Sequence, residues 1–154
     1  MIHLEQPQAT PSAALPIALV ITATSIGFAV VQLDVSIVNV ALAQLSIEFD
    51  ASVDSLQWIV DAYSLTFAVL LLSAGAFGDG LGARRAYMGG LAVFAAASVI
   101  CGIAQSIEQL IAARVLQGVG AAILVPPSLA LLNHACANNE GLRARAIGVW
   151  TATA

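Results

Sequence analysis

Between Ala86 and Ile107 the chain runs for 22 residues without a charge. A helix needs about 20 residues to cross the hydrocarbon core of a bilayer, since each residue advances about 1.5 Å. Three further stretches share this character. Leu15 to Leu33 is uncharged, and its apolar pattern resumes after Asp34 as far as Leu45. Leu56 to Phe77 is interrupted only by Asp61, and Leu110 to Leu132 only by Arg114. Charged residues make up 9% of the chain and hydrophobic ones 60%, so polar groups are too few to cover a soluble domain's surface. Lipid must be the solvent over much of this molecule.

The expected fold is therefore an all-α integral membrane bundle. Residues 1–14 read as a polar tail with Pro7 and Pro11, and helices are expected at about 15–43, 56–77, 86–106 and 110–132. A fifth begins at 146 and reaches 154. Nine residues cover only about 14 Å, so the chain is expected to be the N-terminal part of a longer protein. The tail lacks lysine and arginine, which argues against a secretory signal. Between the spans, SIEFDASVDS carries three acids and no base, GDGLGARR reads as a tight polar turn, a very short turn surrounds Glu108, and NHACANNEGLRAR is a polar connection.

Orientation follows from the arginines. Arg84 and Arg85 lie between the second and third spans, Arg143 and Arg145 between the fourth and fifth, and the other two loops hold acids alone. Under the positive-inside rule the arginine loops and the N-terminus are cytoplasmic. The expected location is the cell membrane, crossed several times.

Several function classes are excluded. Five basic residues, all arginine, and a net charge of −4 give no footprint for nucleic acid. Cys101 and Cys136 make no disulfide framework, and His3 and His134 stand alone, so no metal site is expected. No nucleophile–base pair appears, and GDGLG lacks the preceding strand of a nucleotide loop. Neither an enzyme nor a cofactor is expected.

The charges inside the spans carry the functional signal. With the first helix running outward and the second and fourth inward, Asp34, Asp61 and Arg114 all fall in the outer layer of the membrane. A carboxylate there costs several kcal/mol unless it is partnered. Arg114 keeps its proton and can hold one acid ionised, which leaves the second to take up and release protons. That is what a proton-coupled carrier requires. A second reading of Asp61 stands beside it, as a cap of the second helix at an interface marked by Trp58 and Tyr63. On the first helix Thr22, Ser25, Gln32, Ser36 and Asn39 share one face, with Asp34 roughly opposite. Gln32, Ser36 and Asn39, with Gln117 on the fourth helix, are the candidates to line a cavity; the hydroxyls of Thr22 and Ser25 could equally bond their own backbone. Gly118, Gly120, Ala121 and Ala122, with Gly89, Gly90 and the AAAS run, are small enough to let helices approach closely.

Taken together, these stretches resemble the major facilitator superfamily, in its fourteen-helix drug/proton antiporter branch. LDVSIVNVAL (33–42) looks like that branch's first-helix motif, and GAFGDGLGARR (75–85) like the superfamily's loop between helices two and three. RVLQGVGAA (114–122) looks like the fourth-helix motif, and WIVDAYSL (58–65) fits the branch. The resemblance implies that Gly75, Asp79 and Gly82 form a cytoplasmic gate, with Arg84 and Arg85 supplying the charge that Gly80 and Ala83 lack. It also implies that Arg114 is tied to proton movement and Asp34 to coupling or to cationic substrate. The implied function is proton-driven export of small hydrophobic or cationic compounds by alternating access, with protons, the substrate, the bilayer and the remaining helices of the transporter as partners. A symporter or facilitator for a nutrient, or a small helical membrane protein that transports nothing, are the alternatives. The branch's fifth-helix antiport signature would begin beyond Ala154.

Overall fold

The computed structural model describes residues 11–153, those of 11–16, 75–79 and 81 by their backbone alone. Five helices follow one another: α1 (Pro11–Glu48), α2 (Val53–Leu81), α3 (Ala83–Gly102), α4 (Ile107–Ala135) and α5 (Glu140–Ala152). Between its ends a helix pairs its backbone groups internally, which is the condition for entering lipid. The first four are long and apolar enough to cross a membrane.

The helices begin where side chains can stand in for missing backbone partners. Ser52, Ser106 and Asn139 precede α2, α4 and α5, and each side chain accepts from the backbone N–H three residues on. Each of these helices also has an acid in its first turn, Asp54, Glu108 and Glu140, where the helix dipole favours negative charge. The caps explain why the helices outrun the expected spans. The apolar run of α5 starts at Ala146, yet Asn139 sets the helix going at Glu140. Glu108, expected in a turn, belongs to α4. At its own start α1 includes residues 11–14, expected in the tail; residues 1–10 and 154 lie outside the described residues.

The largest departure is at GDGLGARR. Instead of a turn over 78–85, α2 continues to Leu81, α3 starts at Ala83, and one residue joins them. That residue is Gly82, at φ +84°, a conformation that L side chains rarely adopt. The reversal needs only one flexible position, so the polar residues before it remain helical.

α4 is the central helix. Half of its apolar window is buried inside the protein, against 11% for α1. Its glycines explain how neighbours come so close. A Cβ on Gly118 would lie 2.7 Å from the Tyr63 carbonyl oxygen of α2, and one on Gly120 would lie 2.5 Å from the Phe94 nitrogen of α3. Gly90 on α3 meets the Leu124 backbone in return, whereas Gly89 faces open space. Val31, Tyr63, Tyr87, Phe94, Ala121 and Leu124 form the core between the helices. Tyr87 also ties α3 to α1, its hydroxyl donating to the Ala23 carbonyl at 2.7 Å. Pro126 and Pro127 lie inside α4, which continues through them, and remove the N–H donors that the Ala122 and Ile123 carbonyls would otherwise meet four residues on. α5 docks beside these prolines, at Ser128. Trp150 stacks on Phe28 of α1 at 4.1 Å between ring centroids and donates to the Ser128 hydroxyl at 3.2 Å.

Large apolar side chains such as Val40, Ile47, Val69 and Leu72 stand exposed along α1 and α2. On a water-soluble monomer, apolar exposure on this scale would mark an interface; on helices of membrane-spanning length it provides surface for lipid.

Candidate functional site

Arg114 stands two turns into α4, and only 1% of its surface is exposed. A buried guanidinium is tolerated only where its donors are engaged. Nη1 donates to Asp34 Oδ2 of α1 at 2.5 Å and to Gln117 Oε1 at 2.8 Å. Nε donates to the Ile59 carbonyl of α2 at 3.1 Å. The guanidinium carbon lies 4.3 Å from the centre of the Tyr63 ring, in cation–π geometry. Ile59 and Tyr63 are four residues apart on α2, so they present a single face to the arginine.

Gln117, one turn further along α4, completes the arrangement. Its Nε2 donates to Asp34 Oδ1 at 2.6 Å and to Ser98 Oγ of α3 at 2.8 Å. Its Oε1 accepts from Arg114 and from the Cys101 thiol, whose sulfur is 3.5 Å away. Both carboxylate oxygens of Asp34 thus receive a charged or amide donor, and groups from four helices meet in the cluster around it. An ionised acid accepts only, so this pattern of donors matches the charged form.

The sequence-derived candidates divide clearly. Asp34 and Arg114 come together. Asp61 does not join them: it sits between Ile59 and Tyr63 in sequence and hence on the other side of α2, with exposed Trp58 and Leu65 as neighbours on its face. It is half-buried, and no ion-pair partner is recorded for it among the described residues. Tyr63, read as an interface marker, is buried beneath the guanidinium instead. Gln117, read as lining a cavity, is 1% exposed and belongs to the ion-pair cluster. The stripe on α1 does not behave as one unit. Ser36 and Asn39 are exposed and bond the Gln32 and Val35 carbonyls of their own helix, Gln32 is half-buried, Thr22 is exposed, and Ser25 is buried.

At the other end of the bundle Arg84 and Arg85 are exposed in the first turn of α3, directly after Gly82. Gly75 and Asp79 fall in α2 at positions described by backbone alone, so the side chain of Asp79 lies outside the described residues.

The residues that sequence reasoning missed are neutral: Ser98, Cys101, the ring of Tyr63 and the carbonyl of Ile59. Ser98 and Cys101 offered one signal, two polar atoms three residues apart on one face of an otherwise apolar span.

Comparison with known proteins agrees with this architecture. Residues 24–154 match the Major Facilitator Superfamily. A methylenomycin A resistance protein of Streptomyces coelicolor is 44% identical over 138 residues, covering 90% of this chain and 29% of that protein. One from Bacillus subtilis is 41% identical over 145 residues, covering 94% and 30%. The multidrug resistance protein Stp of Mycobacterium tuberculosis is 44% identical over 136 residues, covering 88% and 25%. The chain therefore spans between a quarter and three tenths of the length of these relatives. Their names describe drug resistance, in keeping with the efflux branch that the motifs resemble. The chain is a multi-pass membrane protein and belongs to the Major Facilitator Superfamily, a family of transporters.

Proposed function

We propose that this chain supplies the proton-coupling centre of an exporter of small hydrophobic or cationic compounds. The observation that carries the reading is the buried cluster in which Arg114 and Gln117 of α4 hold both oxygens of Asp34 on α1. A fixed cation beside a carboxylate that can be neutralised makes a switch. While Asp34 is ionised it binds α1 to α4. On protonation the contact weakens, Arg114 keeps its charge, and the two helices are free to separate. A cationic substrate competes with Arg114 for the same carboxylate, so substrate and proton exclude one another at Asp34. The resistance functions in the relatives' names support outward movement of small compounds.

In this reading the N-terminus and the two arginine-bearing connections face the cytoplasm, and the protein resides in the cell membrane. Asp61, apart from the ion pair and toward the outer end, serves as the second proton acceptor. Gly75, Asp79, Gly82, Arg84 and Arg85 form the cytoplasmic gate, with the one-residue hinge at Gly82 setting the angle between α2 and α3. Gln32, Ser36 and Asn39 present α1 to the substrate path. The helices that complete the relatives close the cavity, and alternating access moves the two halves about it.

The test is ethidium efflux from cells producing the complete transporter with Asp34→Asn or Asp61→Asn. Asn keeps the size of Asp34 and one acceptor but cannot ionise. Asp34→Asn is expected to abolish efflux with the amount of protein in the membrane unchanged. Efflux at the wild-type rate would remove the proposal.

A further inference from the structure

α1 is 38 residues long and holds a single glycine, Gly27. Around it the helical ladder is served by donors that do not belong to α1. The Ala23 carbonyl, whose helical partner is the Gly27 N–H, also accepts from the Tyr87 hydroxyl of α3 at 2.7 Å. The Ser25 carbonyl accepts from the Thr153 hydroxyl, just past α5, at 3.4 Å. Only glycine fits beside Tyr87, since a Cβ at position 27 would run into its hydroxyl. Ser25 is 6% exposed, and its own hydroxyl has no hydrogen-bond partner among the described residues. A backbone carbonyl without a donor is expensive in a bilayer, which keeps most spanning helices closed along their length. Here an opened turn would leave the Ala23 carbonyl held by Tyr87, with the Ser25 hydroxyl in reserve for the Ile21 carbonyl one turn back. Further along, Ser36 and Asn39 bond carbonyls of α1 from α1 itself and travel with it.

We infer that α1 has a built-in pivot at residues 23–27, held by the Tyr87 hydroxyl, about which its C-terminal part swings when Asp34 lets go of α4. The inference rests on the reading of Asp34 as the coupling acid and adds which part of α1 moves. Before the pivot, Ile17 and Ile21 pack against Leu132, Cys136 and Ala146, where α4 leads into α5. None of these contacts depends on a carboxylate. Phe28 rests on Trp150 at the pivot itself, where a rotation moves atoms least. Beyond it α1 meets α4 through Asp34, while Val31 and Val35 add apolar packing, which is non-directional. Kinks where a side chain enters the helical ladder exceed about 20°. Asp34 lies about 10 Å past Gly27, so such a bend carries it about 3–4 Å, out of hydrogen-bonding range. At Ile47, about 30 Å from the pivot, the same bend gives about 10 Å.

The experiment uses the complete transporter in detergent, with nitroxide labels on ketone-bearing residues introduced at the exposed positions of Leu19, Ile47 and Ile103. Pulsed electron resonance then refers both parts of α1 to one point, Ile103 at the end of α3. Between wild type and Asp34→Asn, the distance from Ile47 to Ile103 is expected to shift by about 5–10 Å, while that from Leu19 to Ile103 holds. Tyr87→Phe keeps the ring but would leave the Ala23 carbonyl bare on opening, and is expected to cut the shift to about half or less. If Tyr87→Phe does not accumulate, Gly27→Ala, whose methyl would displace the same hydroxyl, is read the same way. Equal shifts in both pairs would mean that α1 tilts as a rigid rod, and a full shift in Tyr87→Phe that the hydroxyl plays no part; either overturns the inference. So does an unmoved pair of distances while Asp34→Asn still abolishes efflux, a result that leaves the coupling reading standing. If Asp34→Asn itself exports ethidium normally, the coupling reading fails and this inference with it.

Discussion

At Arg114 the chain places a permanent charge where 1% of the residue's surface is exposed, and every feature around it follows from that. An arginine suits the position because its planar fork reaches several acceptors at once, here Asp34, Gln117 and the Ile59 carbonyl. Lysine has its three donors on a single nitrogen, which cannot stand where both Nε and Nη1 stand now. Arg114→Lys is expected to leave a folded protein whose ethidium efflux falls about tenfold or more, in keeping with the loss of at least one charge-assisted hydrogen bond. Arg114→Ala leaves Asp34 partly buried without its cation. Its expected cost is about 3–5 kcal/mol, seen as a lower unfolding temperature in detergent by circular dichroism. Asp34→Asn on the same background should recover much of that loss by removing the unpaired charge; a double variant as unstable as Arg114→Ala would contradict the pairing. The charged half of this site was legible in the sequence, because an aspartate and an arginine in apolar runs have few bland explanations. The neutral half was not. A serine or cysteine in a span reads the same whether it bonds its own backbone, as Thr24 does with the Val20 and Ile21 carbonyls, or a neighbouring helix, as Ser98 does.

Apolar run length is the signal that located the helices, and it located their membrane cores better than their ends. The ends are set by single residues outside the runs: Ser52, Ser106 and Asn139 as caps, and Gly82 as a hinge. GDGLGARR looked like a turn because it is rich in glycine. Helical hydrogen bonding nevertheless continues through Gly80, and only Gly82 adopts the left-handed conformation that breaks it. The small residues of α4 were legible as packing, though not the division of labour among them, with Gly118 toward α2 and Gly120 toward α3. That division makes a prediction. Gly120→Leu should force α3 away from α4 and cost about 1–3 kcal/mol or more, as overpacking does. Gly89→Leu, one position from the contact and facing open space, should be neutral. Thermal unfolding of the two variants side by side checks this, and equal losses would contradict the packing described.

For the whole molecule, α4 is the axis, and α1 is the least buried of the four membrane-length helices. Half of the apolar window of α4 is buried by its neighbours, against 11% for α1, which attaches to α4 through Asp34 and the packing of Val31, to α3 through Tyr87, and to α5 through Phe28. In the proposed function, the contact that responds to protons is the carboxylate between Arg114 and Gln117. The most direct measurement is proton flow on addition of ethidium to everted vesicles holding the complete transporter and an imposed pH gradient, followed with a pH-sensitive dye. The account predicts that ethidium draws protons out of the vesicle lumen with the wild-type protein and draws none with Asp34→Asn. Proton flow that survives Asp34→Asn undiminished would contradict it.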